Sequence, residues 1–147
     1  MKVFIAAETN DDFTVGAFAV KVSNRETYCS KHVGWTVVEA YLNGLREAYN
    51  QTIKESLCDR ISRFDVITAS SYLYRLINED QLCRMQAQDF RDPETGFRVI
   101  HYEILKELYM YHLFFEERGI IWEVMNEVSS GDAKIFNEVK DSILNVF

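Results

Sequence analysis

The chain opens on an apolar run. Val3, Phe4, Ile5, Ala6 and Ala7 follow one another with no polar alternation. Such a run suits a strand covered on both faces, at the middle of a sheet. It therefore asks for layers of structure above and below itself. The run ends in Glu8. A carboxylate at the tip of a central strand is costly to bury unless it is paired, hydrogen-bonded or bound to a cation. Taken alone, Glu8 marks the turn into the polar stretch TNDDFT. Its meaning depends on whether other carboxylates converge on the same point.

The rest of the chain supplies the layers. Val15 to Val22 is apolar and β-friendly, and pairs with the first strand as a hairpin. After the polar break SNRE, Thr27 to Trp35 reads as a third strand, completing an antiparallel meander. Thr36 is placed as an N-cap with Glu39 three residues on, the spacing of a capping box. Val38, Tyr41, Leu42, Leu45, Ala48 and Tyr49 then repeat on one helical face, predicting a helix to about Ser56. Arg63 to Ser70 reads as a short buried strand, and Ser70 to Leu82 as one helix capped by Ser70 or Ser71. Gln86 to Val99 holds the only proline, in a Pro-Glu-Thr-Gly turn signal, and reads as a loop. Tyr102 to Arg118 is a long helix with Ile104, Leu105, Leu108, Tyr111, Phe114 and Phe115 on its apolar face, and Gly119 as its stop. Gly119 to Val128 is a strand, Ser129 to Asp132 a turn. The final helix carries Phe136, Val139, Ile143 and Val146 on one side.

This order, a meander followed by alternating helices and strands, implies an α/β (mixed α+β) fold. The sheet is mixed and five-stranded, in the order 3-2-1-4-5, with helices on both faces. No repeat, low-complexity tract or linker divides residues 1–147, which are expected to form a single domain. No stretch has the length of a membrane span and no signal peptide precedes the first strand, so a cytoplasmic, intracellular chain without a membrane partner is expected. Cys29, Cys58 and Cys83 share no metal-ligand spacing and read as reduced thiols. His32, His101 and His112 form no zinc motif. Ser70 and Ser71 have no nucleophile-elbow glycines near them and read as cap residues. Carboxylates outnumber Lys plus Arg by 23 to 16, a net charge of −7, which works against binding nucleic acid. Lys21, Arg25, Lys31 and His32 make at most a small basic patch. The aromatic stretch LYMYHLFFEE reads as core, with a homodimer face as the alternative.

The segments GIIWEVMNEVSSGD, GWTVVEAYLNGLREA, FDVITASSYL and IAAETN, in this order and spacing, resemble the last strand, first helix, fourth strand and first strand of type I ribonucleases H. The resemblance covers nearly the whole chain. It implies a ribonuclease H-like domain and a site where carboxylates hold two divalent cations about 4 Å apart, clamping the attacking water and the leaving oxygen of a phosphodiester. Carried over, Glu8 takes the first ligand position and Glu39 the second. The third falls on Ala69. The fourth falls on Glu138, or on Asn137 if one gap intervenes.

Ala69 cannot ligate a metal, and Glu8 is one methylene longer than the family's aspartate. The family's loop histidine falls near Val128. The glycine-rich turn after the first strand is replaced by TNDDFT, and the basic, tryptophan-bearing excursion by QAQDFRDPETGFR, where Asp89, Asp92 and Glu94 offset Arg91 and Arg98. The resemblance therefore implies a domain with a lapsed metal site, holding no cofactor or weakly bound Mg²⁺ or Mn²⁺, that acts as a module binding protein or nucleic acid. The alternative is an active metal-dependent ribonuclease cleaving RNA in RNA/DNA hybrids through Glu8, Glu39 and Glu138.

Overall fold

The computed structural model describes residues 1–54, 60–125 and 128–147. The expected end of the first helix at Ser56, Cys58, and the Asn126–Glu127 part of the expected last strand lie outside the described residues. The elements follow in the order β1 (Lys2–Thr9), β2 (Val15–Val22), β3 (Tyr28–Val33), α1 (Val37–Lys54), β4 (Arg63–Thr68), α2 (Ser71–Asn78), α3 (Gln81–Ala87), α4 (Tyr102–Glu117), β5 (Ile121–Val124) and α5 (Ser130–Leu144).

The five strands form one sheet in the order β3-β2-β1-β4-β5. The apolar run of β1 is its centre. β1 pairs antiparallel with β2 through Val3–Val22 and Glu8–Ala17, and parallel with β4 through Lys2–Asp65 to Ile5–Thr68. β5 continues the parallel half beside β4. Because side chains alternate across a strand, β1 feeds two cores. Val3, Ile5 and Ala7 join the larger one, under α1, α2 and α4, with Tyr49, Phe64 and Phe115. Phe4 and Ala6 join the smaller one, under α5, with Ile67, Val139 and Ile143. The helices thus lie on both faces, as the unbroken apolar pattern requires.

Close approach is written into β2. A Cβ at Gly16 would sit 2.7 Å from both Cβ and the carbonyl oxygen of Trp35, so only glycine lets the chain returning from β3 pack there. Gly119 ends α4 with φ +67°, the left-handed conformation of a helix stop.

Two boundaries differ from the sequence reading. The single helix expected over residues 70–82 is two, α2 and α3, because Asp80 turns left-handed at φ 56°, two residues after α2 ends at Asn78. The Asn78 side chain brackets β5, donating to the Val124 carbonyl and accepting from the Val124 amide, both at 2.8 Å. The expected turn at 129–132 is the start of α5. Ser129 is its N-cap, accepting from the Asp132 amide at 3.1 Å. The loop at 86–99 is closed by a bridge between Arg91 and Arg98, and Asp89 lies 3.6 and 3.5 Å from these two guanidiniums.

Candidate functional site

The parallel strands β1 and β4 end side by side, and the first position to consider is their shared tip. Ile5–Thr68 is their last pair. By the alternation of the pleat, Glu8 and Ala69 both point to the α5 face, and Ala7 and Thr68 to the α1 face. Glu8 is half-buried and Ala69 exposed. Beside Ala69 lies a cavity of about 270 Å³, lined by Ile67, Thr68, Ala69, Val128, Ala133, Phe136 and Asn137. The lining is mostly apolar and holds no carboxylate among the described residues.

The fourth position falls on α5. Asn137 lines this cavity one turn after Ala133. Glu138 is exposed and lies a further ~100° around the helix, away from the cavity. The gapped alternative is the one that the helical phase brings to the strand tips, and it supplies an amide rather than a carboxylate.

The second position falls on α1. Glu39 closes a capping box with Thr36. Its carboxylate accepts from the Thr36 amide at 3.2 Å, and the Thr36 hydroxyl accepts from the Glu39 amide at 3.2 Å. The same side chain borders a groove of about 450 Å³ between α1 and α4, with Asn43, Arg46, His101 and Glu107. That groove is on the side of α1 away from the strand tips. The residue of α1 that reaches the tips is Tyr41, about 200° around the helix from Glu39. Its hydroxyl lies beside the Ala7 backbone, the Thr68 side chain and the Glu8 carboxylate. Burial raises its pKa, the Ala7 backbone and the Thr68 side chain oppose that rise, and the Glu8 charge adds to it.

Glu8, Glu39 and Glu138 are therefore not brought together. Among the described residues no three His, Cys, Asp or Glu side chains gather as a metal-holding group. The physical reasons are the capping box that holds Glu39 and the helical phase that turns Glu138 outward. Among the described residues, the side-chain oxygen donors at the strand tips include the Glu8 carboxylate, the Tyr41 and Thr68 hydroxyls and the Asn137 amide. Hard dications want several anionic oxygens in near-octahedral order. A single carboxylate does not fit a pair of them.

The other nucleophile candidates are structural. The Ser70 side chain caps α2, accepting from the Leu73 amide at 3.0 Å. A pair that sequence spacing did not signal is Cys83 with His112, Sγ to Nε2 3.5 Å, where Glu116 approaches the same nitrogen at 3.2 Å. Burial, Asp80 and Glu116 push the Cys83 thiol up, which disfavours the thiolate. The turn after β1 is held by Asn10, whose side-chain oxygen accepts from the Thr14 and Val15 amides at 2.9 and 3.0 Å. The amides of Asn10, Phe13, Thr14 and Val15 are thus engaged within the chain.

This architecture is the ribonuclease H fold. The chain superposes on the PFV RNase H domain with a TM-score of 0.61 at 14% identity, covering 97% of this chain and 88% of that one. RNase H1 from the archaeon Halobacterium salinarum gives 0.54 at 7% identity, covering 99% and 98%. LC11-RNase H1, solved in complex with an RNA/DNA hybrid, gives 0.52 at 12% identity, covering 97% and 98%. No protein-family model and no curated protein sequence matches the chain. At these identities the likeness is one of fold. No helix among the described residues is long and apolar enough to cross a membrane.

Proposed function

We propose that this chain is a ribonuclease H-like domain that does not hydrolyse phosphodiesters and serves as an interaction module for protein or for nucleic acid. The observation that carries the reading is the donor set at the tips of β1 and β4, where Glu8 is the one carboxylate beside Ala69, Tyr41 and Asn137. The neighbour solved on an RNA/DNA hybrid makes that hybrid the first ligand to test. The net charge of −7, and the ion pairs that occupy Arg91 and Arg98, make the expected affinity low. The alternative, a ribonuclease working through Glu8, Glu39 and Glu138, requires a convergence that the capping box at Glu39 and the outward turn of Glu138 oppose.

The test is fluorescence anisotropy of a labelled RNA/DNA hybrid across a salt series. The expected dissociation constant is weaker than about 1 μM at physiological salt, and the affinity falls further with added salt as phosphate contacts exchange for counterions. Tight binding that survives high salt contradicts the reading, because it requires the dedicated hybrid contacts that both altered loops lack.

A further inference from the structure

We infer that Tyr41 holds the first helix's place at the strand tips. Its hydroxyl fills, between β1 and β4, the position from which a helix carboxylate would reach a cation beside Glu8. The inference rests on the proposed function and deepens it. It says that the site is not merely one ligand short but occupied by a phenol.

Three observations support it. Helical phase puts Tyr41 opposite Glu39, so α1 presents Tyr41 and not Glu39 to the tips. Tyr41 packs half-buried against the larger core, which fixes its ring. Its hydroxyl lies beside the Ala7 backbone, the Thr68 side chain and Glu8, at the point where β1 passes its last β4 pair, Ile5–Thr68, and keeps only β2 as a partner. Tyr41 stands at that point. It is a positioning residue, holding the tips of the two strands in an arrangement that needs no metal.

A consequence follows for repair. An aspartate at position 69 would share a face with Glu8, but the α1 side of the site would still end in a neutral hydroxyl. Restoring cation binding should need two changes. The experiment measures Mn²⁺ binding by calorimetry, with thermal melting to verify folding, on the wild type, Ala69→Asp, Ala69→Asp with Tyr41→Glu, and Ala69→Asp with Glu39→Gln. The expected result is a gain of roughly tenfold or more in the Tyr41 double variant over Ala69→Asp, since ligand charge sets affinity, with a melting temperature that rises on adding Mn²⁺. Glu39→Gln should leave the affinity of Ala69→Asp unchanged. Ala69→Asp with Tyr41→Asp is the shorter anionic substitute if the glutamate variant does not fold, and it too should exceed Ala69→Asp. Equal affinity in single and folded double variants, or loss of binding through Glu39→Gln, overturns the assignment. Tight Mn²⁺ binding by the wild type would instead overturn the proposed function, so the two failures are distinguishable.

Discussion

Tyr49 sits fully buried where the larger core is densest. Its ring centroid is 5.0 Å from Phe64, 4.9 Å from Tyr111 and 5.0 Å from Trp122. Among the described residues its hydroxyl has no hydrogen-bond partner, nor does the Trp122 indole nitrogen. A buried unpaired hydroxyl costs stability, so Tyr49→Phe should raise stability by about 1 kcal/mol in a denaturant titration. Burial, then the neighbouring Tyr111, raises the Tyr49 pKa well above its usual value. The sign follows from linkage. The unfolded chain ionises near pH 10 while the folded chain resists, so the contribution is present below about pH 10 and is lost as pH rises beyond it. Tyr49→Phe should therefore flatten the alkaline fall in stability. An equal fall in both proteins would show that Tyr49 does not report this burial.

β5 has four described residues, and it depends on a side chain from another element. The two Asn78–Val124 hydrogen bonds hold it to the end of α2. Asn78→Ala should cost about 2 kcal/mol, two hydrogen bonds with a backbone left unpaired, read as a shift of the urea midpoint. A loss near zero would mean that strand pairing with β4 alone holds β5. The same contact explains what the sequence did not reveal. The meander, α1 and α4 were legible because their apolar periodicity is local. The break between α2 and α3 was not, because it goes with a left-handed Asp80 and with the Asn78 side chain, at the end of α2, binding a partner 46 residues away. Ser129 was read as a turn, although Ser with Asp132 three residues on is also the spacing of a helix start. At the site, Ala69 was legible as a residue that cannot ligate a metal, and the structure places it beside the cavity at the β4 tip. Glu39 was legible as a capping residue, and the structure gives it that place. Tyr41 was missed because it fell among the apolar face of α1, where nothing in its spacing shows that a hydroxyl reaches the sheet edge.

The whole molecule combines a ribonuclease H fold with a net charge of −7, and among the described residues no three His, Cys, Asp or Glu side chains gather as a metal-holding group. On the function proposed above, missing metal ligands remove stabilisation realised in the transition state, so they lower turnover more than binding. The direct measurement is hydrolysis of a labelled RNA/DNA hybrid by the wild-type chain with Mg²⁺ and with Mn²⁺, beside Glu8→Gln. The expected result is no product above the no-enzyme control in either metal. Cleavage by the wild type that Glu8→Gln abolishes would contradict the account and identify this chain as a working nuclease.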